Sequence, residues 1–218
     1  MNILLIGDIV GTQGCDFLRS VLPGFKKLEA IDVVIANGEN AAPGNGITSS
    51  AAEHIFSSGV DFITTGNHAF RRSEVYHFLD ERSDIIRPAN VGAACPGKGF
   101  GVIDMGRVRI GVINLLGRAY INGSDNPFSC IDSLMEDISD CRIKIVDIHA
   151  EATGLLSRRQ GDCRCRHAHP CSDCRRKSPA RRHGLYNRSR HDGSRALGAR
   201  SPPRSFDIVA QDGASDAI

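Results

Sequence analysis

Short apolar runs alternate with stretches of helical spacing from the first residues onward. NILLIG (2–7) and DVVIA (32–36) are continuous apolar runs of strand length, the pattern of strands buried on both faces. Between them, CDFLRSVLPGFKKL (15–28) has roughly helical spacing, and Pro23 with Gly24 is expected to interrupt or end that helix. Residues 48–58 open on a Thr cap and stop at Gly59, as a short helix does. DFITT (61–65) is the next strand, followed by GNHAF and a helix near 72–81. From Gly99 onward, GFGVIDMGRVRIGVINLL predicts a hairpin turning around Met105 to Arg107. A helix beginning at Pro127 is expected over 127–140, and IKIVDIH (143–149) is one more buried strand. Strand and helix in alternation predict an α/β fold.

The polar residues fall where the strands end. GD at 7–8, NGEN at 37–40, GNH at 66–68, NLLGR at 114–118 and DIHAEAT at 147–153 each follow or close an apolar run. Singly, each is as well explained by a turn, a polar loop or a satisfied structural histidine. In order, they place carboxylate, amide and imidazole groups along one sheet edge, where open α/β sheets collect ligands. That mixture suits hard-to-borderline divalent ions such as Mn, Fe or Zn, and a carboxylate able to bridge two ions is what a dinuclear site needs.

GDIVG, NGENAAPGNGIT, GNHAF, RPAN, INLLGR and DIHAEAT, spread over residues 1–153, resemble the successive motifs of bacterial calcineurin-like metallophosphoesterases, in the branch described as 2′,3′-cyclic-nucleotide phosphodiesterases. The resemblance implies a four-layer α/β/β/α sandwich with a dinuclear centre at the strand ends between two sheets. It implies Asp8 and Asn40 as ligands of one metal, Glu39 as the bridge, and Asn67 and His149 as ligands of the other. The metals would be Fe or Mn, with Zn as the alternative, and the substrate a cyclic nucleotide or other small phosphodiester. His68 would be the catalytic acid, since an imidazolium can protonate an oxygen that otherwise leaves as a costly alkoxide. The 40–47 loop and Arg118 would stand near the phosphate. Ala69, Phe70, Arg71 and Arg72 depart from the aromatic and acidic or amide residues usual after GNH, which bears on substrate choice.

Charge and composition change the picture only beyond residue 153. Residues 1–153 hold 13 Lys+Arg against 19 Asp+Glu, whereas residues 154–218 hold 14 against 6 and only eight Leu, Ile, Val or Phe. So little apolar surface cannot offset chain entropy, and the tail is expected to be disordered, with no core of its own. The family's next motif, Gly-Thr-His-Thr-His, whose histidines complete both metal sites, does not occur. Read one base along, however, codons permitted for Arg166 to Cys171 spell Gly-Thr-His-Thr-His followed by the start of a valine codon. The same shift applied to codons permitted for Ser157 to Gly193 yields a coherent strand, that motif and a Pro-Gly-Gly turn. Residues 154–218 therefore read as an out-of-frame tail after a small deletion near codon 153. The expected consequences are a truncated second sheet, an exposed strand edge, a tendency to aggregate and impaired activity, each metal lacking one ligand.

A different reading makes the tail the functional part, a non-catalytic protein holding zinc or RNA. Cys163, Cys165, His167, His169, Cys171 and Cys174 are ligands of the right type, but their spacing is irregular and no apolar cluster surrounds them. The 13 tail arginines will attract nucleic acid non-specifically. His167 and His169 could replace the lost histidine pair only by accident of frame. Cys15, Cys95, Cys130 and Cys141 are scattered without paired spacing, as in reduced proteins. MNILLIGDIVG lacks a basic leader, carries Asp8 and is too short to span a bilayer, so the expectation is a cytoplasmic protein with no membrane partner.

Overall fold

Neighbouring strand residues face different cores, and this organises the chain. In the computed structural model, which describes residues 1–118, 121, 123–150 and two short strands at 164–165 and 208–210, there are two sheets. In the first, β1 (Asn2–Ile6), β2 (Val33–Asn37), β3 (Phe62–Thr64) and β4 (Ile85–Ile86) run parallel. In the second, β6 (Arg109–Leu116) pairs antiparallel with β5 (Phe100–Asp104) and parallel with β7 (Ile143–His149). Helices α1 (Gly11–Leu28), α2 (Ser49–Ser57) and α3 (Tyr76–Glu81) belong to the first sheet's segment, and α4 (Pro127–Asp137) to the second's.

Val34, Ala36, Ile63 and Ile85 pack with Leu18, Leu22, Ile55 and Leu79 of the first three helices. Their strand neighbours Val33, Ile35, Phe62 and Ile86 point the other way, onto Ile110, Val112 and Ile145 of the second sheet. Ile113, Leu115, Val146 and Ile148 close against α4 through Ile131. Three apolar layers separated by two sheets make the expected α/β/β/α sandwich, and they explain why β2 and β6 are apolar without alternation. Each fully buried Ile, Leu or Phe contributes about 1.5–3 kcal/mol.

Local signals were followed with two differences. Thr48 caps α2, its Oγ1 accepting from the Ala51 N–H at 3.1 Å, and Gly59 ends it at φ +104°, a conformation open to glycine. Helix α1, by contrast, starts at Gly11 and runs through Pro23 and Gly24. Pro23 and Arg19, whose carbonyl loses its donor there, are both exposed, so water can serve that carbonyl. The helix expected near 72–81 is a 3-10 turn, Ser73–Val75, leading into α3.

From the tail, β8 (Arg164–Cys165) adds parallel to β7, and β9 (Ile208–Ala210) adds antiparallel to β1. The rest of 154–218, and with it the expectation of a disordered tail, lies outside the described residues. Strand β8 matches only Ile145 and Val146, so among the described residues the β7 stretch Asp147–His149 has a strand neighbour on the β6 side alone. No helix among the described residues is long and apolar enough to cross a membrane. Cys15, Cys95, Cys130 and Cys141 are free thiols.

Candidate metal centre

Backbone bonds between the strand exits bring the polar motifs together. The Ile9 N–H donates to the Asn37 carbonyl at 2.9 Å and the Gly11 N–H to that of Asn40 at 2.8 Å, pinning the β1 exit against the β2 exit. The Gly38 N–H donates to the Thr64 carbonyl at 2.9 Å, which adds the β3 exit. Within the second sheet, the Gly117 N–H just past β6 donates to the His149 carbonyl at 2.9 Å, and Asn90 of RPAN ties the end of β6 in place, its Oδ1 accepting from the Leu116 N–H at 2.7 Å.

Glu39 stands at the centre, 1% exposed. Its Oε1 lies 3.3 Å from His149 Nε2 and accepts from Asn40 Nδ2 at 3.1 Å, while Oε2 accepts from the His68 N–H at 3.4 Å. The same Asn40 nitrogen donates to Asp8 Oδ2 at 3.0 Å, and Asp8 Oδ1 is buried with no hydrogen-bond partner. His68 Nδ1 lies 2.8 Å from Asn40 Oδ1, an acceptor, so this ring nitrogen carries the proton and leaves Nε2 for other work. Gly66 is required by close approach: a β-carbon there would sit 1.9 Å from Glu39 Oε2.

Two titrations are displaced. Burial, then the charge of Asp8, pushes the Glu39 carboxyl up to about 8, with Asp147 adding to the rise and the bonds from His68 and Asn40 opposing it. Burial, then Arg71, lowers the proton affinity of His68, while Asp8 acts the other way.

Of the expected site residues, Asp8, Glu39, Asn40, His68 and His149 are therefore brought together. Asn67 lies between Gly66 and His68 on the same turn, but it is exposed. Arg118 is exposed as well. The 43–45 stretch of the loop is held from below by Arg72, which donates from Nη2 to the Pro43 carbonyl at 2.5 Å and from Nε to that of Asn45 at 3.3 Å. That gives one of the residues departing from the usual post-GNH pattern a structural task. His167, His169, Cys163, Cys171 and Cys174 lie outside the described residues.

Among the described residues, no three His, Cys, Asp or Glu side chains form a group able to hold an ion. The chemistry of what does converge still fits a divalent cation. An orphaned carboxylate oxygen, a second carboxylate that burial and its neighbour keep from ionising, and an amide nitrogen donating to both are the marks of uncompensated negative charge. Pattern reading assigned no role to Asn37, Thr64, Thr65, Asn114 and Asp147, all buried and all bonded between the segments of the site. Asn37, Asn114 and Asp147 stood inside motifs already singled out; only their partners were hidden.

Residues 4–155 match the family model described as YmdB-like protein. The chain is 38% identical over 154 residues to the 2′,3′-cyclic-nucleotide 2′-phosphodiesterase of Bacillus subtilis, covering 70% of this chain and 58% of that protein. It superimposes with TM-score 0.65 on a hypothetical protein from Thermus thermophilus, at 36% identity and covering 70% of this chain and 59% of the other. A novel phosphatase from Mycoplasma pneumoniae aligns with the same TM-score at 30% identity, covering 70% and 56%. The chain thus spans a little over half the length of the curated relatives it matches.

Proposed function

Because the chain belongs to the YmdB-like family, with the calcineurin-like metallophosphoesterase fold, we propose that residues 1–153 carry a metal-dependent phosphodiester hydrolase centre for 2′,3′-cyclic nucleotides or similar small phosphodiesters. The observation that carries this reading is the convergence of Asp8, Glu39, Asn40, His68 and His149 from separate strand exits around one nearly inaccessible carboxylate. That the Bacillus subtilis relative is a 2′,3′-cyclic-nucleotide 2′-phosphodiesterase supports the substrate class.

In this proposal Asp8 and Asn40 would hold one divalent ion, Asn67 and His149 would hold a second, and Glu39 would serve both, the ions being Fe or Mn, or else Zn. Bound divalent cations would neutralise phosphate charge and acidify water. His68, oriented through Nδ1 by Asn40, presents Nε2 to the leaving oxygen and gives it a proton. Burial and Arg71 make His68 a readier donor than an ordinary imidazolium, while an arriving phosphate anion favours its protonation.

The proposal also takes 154–218 as a shifted frame, so that each ion lacks one histidine and activity is impaired. Resequencing codons 150–160 tests the shift. The protein test is a metal count and a 2′,3′-cyclic-nucleotide assay on the full chain, beside Glu39→Ala and Asn67→Ala. We expect fewer than two ions per chain and weak turnover that Glu39→Ala removes. Two ions with strong turnover abolished by Asn67→Ala would refute the impairment, and metal uptake indifferent to Glu39→Ala would refute the centre itself.

A further inference from the structure

The two sheets are fastened together next to the centre by bonds that neither sheet's ladder supplies. Asp147 Oδ2, on β7, accepts from Thr64 Oγ1 on β3 at 2.5 Å and from Asn37 Nδ2 on β2 at 3.5 Å. Asn37 also donates to the Thr65 carbonyl at 3.2 Å, and its Oδ1 accepts from the Glu39 N–H at 3.0 Å. Asn114, paired with Asp147 across β6 and β7, donates to the same Thr65 carbonyl at 2.6 Å. All of these side chains are closed to solvent, Asp147 being the most open at 7%.

A buried carboxylate is a poor way to hold two sheets together, because its desolvation offsets most of what its bonds return and well-packed apolar groups do as well. Orientation is what it supplies. Asn37 lies two residues before Glu39, Asp147 two before His149, and Thr64 four before His68. One carboxylate therefore ties together the roots of three segments whose tips must meet. The geometry points to Asp147 as a positioning residue: through Thr64 and Asn37 it sets the approach of Glu39 to His149, and with it the cation affinity of the centre. The inference rests on the metal reading above and adds to it a residue that touches neither ion nor substrate. Loss of such outer partners costs roughly ten- to a hundredfold in metal affinity.

The test is titration of the full, metal-stripped chain with Co(II), read by its visible absorption, alongside thermal melting in chelator. Asp147→Ala and Thr64→Val should stay folded yet bind Co(II) about ten- to a hundredfold more weakly with a changed absorption band, and Thr64→Ser, which keeps the hydroxyl, should recover to within about threefold of the parent. Should Asp147→Ala fail to fold, the Thr64 pair decides alone. Variants that melt earlier but bind Co(II) with the parent affinity and spectrum would make these bonds a structural clamp only and overturn the positioning role. A parent chain that takes up no Co(II) would overturn the metal reading and this inference together.

Discussion

Glu39 should make the metal-free protein less stable as pH rises, which is the reverse of what most carboxylates do. Its carboxyl is carried from an ordinary 4.5 to about 8, chiefly by burial and then by Asp8. Below pH 4.5 the group is protonated in both folded and unfolded chains and the shift has no effect. Between that value and about 8 the unfolded chain releases the proton and the folded chain keeps it, so stability falls with pH until the folded state also ionises. At about 1.4 kcal/mol per tenfold change in proton affinity, the whole window amounts to roughly 5 kcal/mol, a large part of a domain's stability. Urea unfolding in chelator at several pH values between 5 and 9, for the parent and Glu39→Gln, isolates this term from the other titrating groups. The parent-minus-variant difference should decline by several kcal/mol across the window, and saturating Mn(II) should abolish the decline, since a cation replaces the proton. A difference that stays level with pH, or rises, would refute the account of Glu39 as a carboxylate held without its cation.

Two further substitutions probe the surrounding framework. Gly66→Ala would put a methyl group 1.9 Å from Glu39 Oε2 and 2.9 Å from His149 Cγ. Because Glu39 is buried and bonded at both oxygens, we expect about 1–3 kcal/mol of destabilisation in urea and a clear loss of Co(II) affinity, whereas parent-like binding would contradict the packing described. Thr48→Ala removes the cap on the Ala51 N–H and should cost about 1 kcal/mol in the same assay with Co(II) affinity unchanged, since the Thr48 hydroxyl bonds to Ala51 and Ser50 and to none of the proposed ligands.

The sequence by itself determined the elements and their order, because apolar periodicity and capping act over a few residues. Strand and helix character at 2–6, 33–37, 49–57, 100–116 and 143–149 could be read from the chain alone. So could the candidate side chains Asp8, Glu39, Asn40, His68 and His149, since strand ends are where an α/β sheet leaves polar residues exposed to a ligand. Pro23 misled because helix-breaking strength depends on whether the lost bond faces water, which the local sequence does not state. What only the tertiary structure decided was which buried polar residues meet across the sandwich. Thr64 and Asp147 are 83 residues apart, Asn37 and Asp147 are 110 apart, and their bonds exist because two sheets pack at one separation and rotation. The same holds for Arg72 reaching back to Pro43 and for the space that only a glycine at 66 leaves for Glu39. Local chemistry names the groups able to act; the packing of distant segments sets which of them stand within bonding reach.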